Sequence, residues 1–357
     1  MKKLIYILLS ISIFLFRCKN TKPIFPTTKE IDEKRGGNIA LYYELINEAE
    51  LALIRDKYAE AVDYYLAANE EGVLFVKDVE NALLVAVEAK KYTEAVLFAE
   101  KLLEKGVPKS YFEQRKTFQQ LRQSEAWKAL VAEKKEYKVN VVLKERIMVL
   151  LALDQQYRYD DYYKDTMLVI DSIIKQEILD IFEKEGYPNA NVIGVFMKND
   201  TTIRRNQFDL LLISQVAQNP NLWVSALESF LQKGQLSNHF FEANGKMLYP
   251  SDNNFKLSCL GAKQNLFIQV KDELYTCCCT AELAIDSIRK KFYLEPLKEV
   301  RLKAEFYYER DRRFGFGGCA FKYTLRKSEK ASTVTEALAK EGFVLHKKID
   351  AETPYFR

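Results

Sequence analysis

The strongest constraint in this chain is a repeat. The stretch Arg55-Asp56-Lys57-Tyr58-Ala59-Glu60-Ala61-Val62 returns as Ala89-Lys90-Lys91-Tyr92-Thr93-Glu94-Ala95-Val96. Tyr58, Glu60, Ala61 and Val62 thus each have an identical partner 34 residues on. The surrounding apolar residues recur every three or four positions with almost no helix breakers, so the repeating unit is a pair of helices. Such a unit buries its apolar face only against a neighbouring unit, which commits this part of the chain to a stack. Small Ala61 and Ala95 let the second helix of each pair approach the first. Tyr58 and Tyr92 are placed to fill the turn between helices, and Leu45, Ala49 and Ala52 are matched by Val79, Leu83 and Ala86.

The period and these residues resemble the tetratricopeptide repeat, which implies helical hairpins over 39–138. Two units are too few to stand alone. The segment Tyr111 to Lys134, with Phe112, Phe118, Leu121, Trp127 and Leu130, is expected to supply a degraded third unit as an amphipathic capping helix pair, with Trp127 filling its core.

Ahead of the repeats, Lys2-Lys3 precede the run Leu4 to Phe16, which is too short to span a bilayer as a helix but suits a secretory core. The order Leu15-Phe16-Arg17-Cys18 resembles a bacterial lipoprotein signal, in which the cysteine is acylated; the other reading is an uncleaved signal anchor. Arg17 stands where a lipobox normally has a small residue. Residues 1–17 are then a signal and 18–38, with Pro23, Pro26 and Gly36-Gly37, a flexible tether. This places the body in the cell envelope on the periplasmic side, at the outer membrane in the lipoprotein case. The chain has 54 basic and 50 acidic residues, and three of the cations, Lys2, Lys3 and Arg17, lie in the leader. A body so near neutrality has no global drive toward nucleic acid, and none is expected as a partner. With two histidines, His239 and His346, a multi-histidine metal site is excluded, and no cofactor is implied.

Residues 139–254 read as a helical domain. Leu153-Asp154-Gln155-Gln156-Tyr157-Arg158, Asp171, Ile181 to Pro188, Ile193-Gly194, helices over Arg205 to Gln218 and Leu222 to Lys233, and then Ile285 to Arg289 with Leu294-Glu295-Pro296-Leu297 resemble a bacterial domain family of unknown function. In that family a histidine usually follows the helix after the Gly-Tyr-Pro turn; Gln215 stands there in this chain, which tilts the implied role away from catalysis. Read without the resemblance, Asp154 and Arg158 lie four apart on a helix as an ion pair that Asp171 can share. The same three residues are the candidates for general acid, base and anion clamp in an enzyme. Gly186-Tyr187-Pro188-Asn189 reads as a helix stop, Asn219-Pro220 as a break, and Trp223 as packing.

From 255 to 357 the pattern is a small α+β module with two hairpins, Leu266 to Val270 with Leu274 to Thr280 and Val300 to Tyr308 with Cys319 to Leu325, plus helices over Ala281 to Tyr293 and Thr333 to Glu341 and a strand over Phe343 to Ile349. Besides Cys18, the cysteines are Cys259, Cys277, Cys278, Cys279 and Cys319. Cys277 and Cys279 share a strand face and can pair with Cys259 or Cys319, pack as small apolar groups, or, by a sharper reading, hold a metal. Arg310 to Gly318 reads as a solvated hairpin tip, with phosphate or sugar binding as the alternative. The fold expectation is therefore mainly α with a C-terminal α+β part. The functional expectation is an envelope-tethered, non-enzymatic interaction or scaffold protein whose repeat concavity or C-terminal module binds a protein or peptide. The alternative is a periplasmic hydrolase using Asp154, Arg158 and Asp171.

Overall fold

A computed structural model describes residues 37–72, 74–133, 135–156, 164–204, 206–249, 267–270, 273–277, 282–316, 320–323, 331–340 and 343–348. The protein is mainly helical. Two helix pairs come first, α1 (Ile39–Ile54) with α2 (Tyr58–Glu71) and α3 (Val76–Glu88) with α4 (Tyr92–Glu104). Ala49, Ala52, Ala61, Val79, Leu83, Ala86 and Ala95 are all buried, so the small residues do bring the helices together.

The two corners are built alike. Asp56 and Lys90, 34 residues apart in the sequence, both take the left-handed conformation, at φ 60° and 58°. Lys57 N–H donates to Ala52 O at 3.0 Å and Lys91 N–H to Ala86 O at 2.9 Å, the six-to-one closure that satisfies a helix's last carbonyls. Tyr58 and Tyr92 sit half-buried at the first residue of the second helix in each pair and pack on the core. Their hydroxyls differ in partner: Tyr58 donates to Asp56 Oδ1 and Tyr92 to Gln120 Oε1.

The expected capping pair over Tyr111 to Lys134 is instead three short helices, α5 (Lys109–Gln114), α6 (Gln119–Gln123) and α7 (Glu125–Ala132), with a 3-10 turn at Lys116–Phe118. Arg115 turns extended and Arg122 caps the break by donating to Phe112 O and Arg115 O, while Ser124 caps α7 through Trp127 N–H. Phe112, Phe118 and Trp127 form the expected core, with the Phe112 and Trp127 rings 5.1 Å apart.

The middle region holds α8 (Val141–Gln156), α9 (Lys164–Glu185), α10 (Ala190–Ile193), a two-stranded hairpin of β1 (Phe196–Lys198) and β2 (Thr202–Arg204) not expected from the sequence, then α11 (Gln207–Val216), α12 (Pro220–Gln232) and α13 (Asn238–Leu248). Gly186 stops α9 at φ 72° and Asn219-Pro220 opens α12, as expected. Gly194, at φ 70°, lets its strand pass the repeats: a Cβ there would lie 3.2 Å from both Lys105 O and Val139 Cγ1. Val195 N–H donates to Lys105 O at 2.8 Å alongside it.

In the last region β3 (Phe267–Val270) and β4 (Glu273–Cys277) form the first expected hairpin, followed by α14 (Glu282–Lys291). The second hairpin is corrected. Leu297–Glu309 is a helix, α15, opened by Pro296, and β5 (Ala320–Tyr323) pairs parallel with β3 rather than with a strand before it. After α16 (Ala331–Lys340), β6 (Phe343–Lys348) completes the sheet order β5-β3-β4-β6. Among the described residues no helix is long and apolar enough to cross a membrane.

Candidate functional site

The first helices of the two pairs present one shared face, and the chain itself covers it. Asn47 and Asn81 occupy equivalent positions of α1 and α3, and both bind the C-terminal region. Asn47 donates to Glu299 Oε2 at 2.8 Å; Asn81 clasps the Gly315 backbone, donating to its carbonyl at 2.6 Å and accepting its N–H at 2.9 Å. Arg310 donates to both Asp56 carboxylate oxygens at 2.7 Å, and Arg313 reaches Glu88 at 2.6 Å. Phe314 is buried. The run from Arg310 to Gly315 is therefore a strap pinned across the repeats, not a solvated hairpin tip.

Beneath the strap lies a buried cluster of charge drawn from α1, α3, α13, α14 and α15. Lys303, 1% exposed, donates to Glu50 Oε2 and Asn47 Oδ1 at 2.7 Å and to Glu295 Oε1 at 3.2 Å. Arg289, fully buried, donates to Glu242 Oε1 at 3.0 Å and to the Glu295 carbonyl at 2.6 Å. Burial opposes ionisation at Glu295, but Lys303 and Arg289 outweigh it and hold its carboxyl at about 2. Burial is likewise overcome at Glu242 by Arg289 and at Glu50 by Lys303, both falling below the usual carboxylate range. At Lys303 burial favours the neutral amine, yet Glu295 and Glu50 push its pKa up. Asp78 behaves oppositely: burial raises it, and it accepts the Tyr42 hydroxyl at 2.7 Å.

The cluster touches, through Glu242 and through Lys77, which is bonded to Glu50, a cavity of about 470 Å³, within the size range of small-ligand pockets. The walls are apolar and aromatic, with Phe75, Phe196, Ile203, Phe240 and Phe316 among them. Gly234, at φ 64°, ends α12, and Ser237 then caps α13 by accepting His239 N–H, which sets His239 in the first turn facing the cavity. His239 Nδ1 lies 3.2 Å from Glu242 Oε2, one turn on, and Nε2 lies 2.7 Å from Lys77 Nζ. An ammonium only donates, so in this arrangement Nε2 accepts from Lys77 and Nδ1–H donates to Glu242.

The geometry looks like an oriented base beside a nucleophile, but the chemistry is committed elsewhere. Burial favours the neutral Lys77 amine, yet Glu50, 3.1 Å away, and Asp78 outweigh it and raise the lysine above its ordinary pKa. Lys77 is thus a cation, and the His239 lone pair is spent on it. Among the described residues no group of His, Cys, Asp and Glu is arranged to hold a metal.

His239 and the turn residues Tyr187, Asn189 and Gly194 line this cavity, whereas the candidate catalytic and thiol residues lie away from it or outside the described residues. Asp154, with no exposed surface, accepts from Gln155 and from Ser214 Oγ at 3.1 Å, and Asp171 accepts from Gln215 at 3.2 Å. These bonds tie α8 and α9 to α11. Gln215 is buried there as a packing amide. Arg158, Cys18, Cys259, Cys278, Cys279 and Cys319 lie outside the described residues, and Cys277 is the last residue of β4, opposite Phe343. Sequence reasoning gave no site role to Lys77, Glu242, Glu50, Arg289, Glu295 or Lys303, although Arg289 and Glu295 stand in the segments that carry the family resemblance. The available signal was Glu50 within the apolar run Ala49 to Ile54, and the recurrence of Asn47 as Asn81 at the repeat spacing.

Comparison with protein families, curated proteins and solved structures finds no match for this chain.

Replacing Lys303 with Met leaves Glu50 and Glu295 buried beside one fewer cation, and is expected to cost about 3–5 kcal/mol in urea unfolding. Because the folded carboxyls of Glu50, Glu242 and Glu295 lie below their unfolded value of 4.5, their contribution is complete above that pH and is lost on acidification through it toward about 2. The thermal midpoint should fall across that window, and fall less steeply in Lys303→Met.

Proposed function

We propose that this is a non-enzymatic binding protein tethered at the cell envelope, in which tetratricopeptide-like helix pairs serve as the frame and the cavity beside them receives part of a partner, a peptide or a small amphiphilic molecule. The observation that carries this reading is the cavity itself: a partly open, largely aromatic and aliphatic recess whose reactive groups, Lys77, His239 and Glu242, are bonded to one another. Such a site can hold a ligand without activating one. The equivalent corners at Tyr58 and Tyr92 support the repeat-like frame. The shared face of the frame is engaged by the chain's own strap and helices, so an external partner is directed to the cavity rather than to that face. Asp154, buried and hydrogen-bonded between helices, gives a carboxylate hydrolase no support. The tether rests on the lipoprotein-like segment ending at Cys18, with delivery to the periplasmic side of the outer membrane following from it.

Two measurements test this reading. Saturating the cavity at about a hundred times Kd adds roughly 2.7 kcal/mol, which raises the midpoint of a chain this size by about 4 °C. A thermal-shift panel of alkyl carboxylates, alkylammoniums, alcohols and short apolar peptides should contain such a ligand, and Ala243→Trp, filling the cavity from an exposed lining position, should remove its effect. A panel that shifts wild type and Ala243→Trp equally contradicts the cavity. For the tether, labelled palmitate should enter the wild-type chain and not Cys18→Ser; equal labelling contradicts acylation there.

A further inference from the structure

The polar groups around the cavity are not equally engaged, and the difference has a sign. Each carboxylate that lines it already accepts a strong internal donor. Glu80 accepts the Tyr111 hydroxyl at 2.5 Å, Asp209 the Tyr187 hydroxyl at 2.5 Å, and Glu242 is held between Arg289 and His239. Burial also raises the pKa of Glu80. The amides are neutral and partly engaged: Asn189 donates to Gln235 O and accepts Asn191 N–H, and Asn206 donates to Pro188 O and accepts Phe208 N–H.

Among the charged groups it is the cations that have capacity left. Lys77 has three N–H donors and uses two, on Glu50 and His239; its approach to Asp78 Oδ1, at 3.8 Å, is too long for a hydrogen bond. Arg204, at the end of β2, lines the same cavity, is exposed, and its side chain makes no hydrogen bond or ion pair to the described residues. Spare donors on two cations, satisfied carboxylates and aromatic walls together define a complementary ligand.

Building on the cavity reading above, we infer that the occupant is an apolar or aromatic group ending in an anion, whose headgroup binds Lys77 and Arg204 and whose body lies against Phe75, Phe196, Phe240 and Phe316. A medium-chain carboxylate and the free C-terminal residue of an apolar peptide both present this chemistry.

Isothermal titration of the full chain decides it with two matched sets of probes: decanoate against decanol and decyltrimethylammonium, and a tripeptide ending in free phenylalanine against its C-terminal amide. The anionic member of at least one set should bind more tightly than its counterparts, and the set in which it does identifies the source. Arg204→Glu, at an exposed position that leaves the core intact, should weaken that anion about tenfold, and Lys77→Met, if folded, should do the same. Tighter or equal binding of the ammonium, alcohol or amide overturns the inference while leaving the cavity a binding site. Anion affinity unchanged in Arg204→Glu overturns it too. Binding of no probe of any charge overturns the inference together with the cavity reading.

Discussion

Burying a charge is tolerable only when the fold brings it a partner, and this protein buries several whose partners lie far apart in the chain. Lys303 and Glu50 are separated by 253 positions, yet meet with both side chains almost fully enclosed. Each ion gives up several kcal/mol of hydration, recovered only in an arrangement that supplies all the hydrogen bonds at once. The cluster therefore acts less as a source of net stability than as a key. It fixes how the C-terminal helices seat on the first helices of the repeats, because any other seating strands a charge in an apolar setting.

The rest of the architecture follows from that seating. With α15 placed by Lys303, the strap beyond it falls across α1 and α3, where Asn81 holds the Gly315 backbone and Arg310 and Arg313 find Asp56 and Glu88. With α13 placed by Glu242 and Arg289, His239 comes to face Lys77, and the cavity lies between α3, the β1–β2 hairpin and Phe316. Lys77 belongs to both worlds. Its bond to Glu50 joins it to the buried cluster, and its remaining donor joins it to the cavity, so anything that binds there touches the part of the molecule that holds the fold together.

How much of this could be read from the residues depends on the range of the interaction. The two helix pairs were legible because their signals are local: Ala61 and Ala95 at the helix contact, Tyr58 and Tyr92 at the corners, and a fixed spacing between them. Helix stops at Gly186 and Asn219-Pro220 were legible for the same reason. The strand expected at Val300 to Tyr308 failed for an instructive one. Val300, Leu302, Ala304, Phe306 and Tyr308 alternate, but the inward face of the true helix contains Lys303, a buried cation that an apolar pattern does not count. Pro296, capping that helix, was the local clue. The charge cluster and the cavity are long-range products of packing and left almost no trace along the chain beyond Glu50 in an apolar run and the Asn47 and Asn81 pair.

The N-terminal helix pairs and the C-terminal helices then form one cooperative body locked by buried charge. Native-state hydrogen exchange measures it most directly. Amides of Ile39–Ile54 and of Leu297–Glu309 should open with the same free energy and the same denaturant dependence, and both should lose protection together in Lys303→Met. Exchange of the later helix through a much cheaper opening, with the earlier one still fully protected, would show that the two are merely in contact.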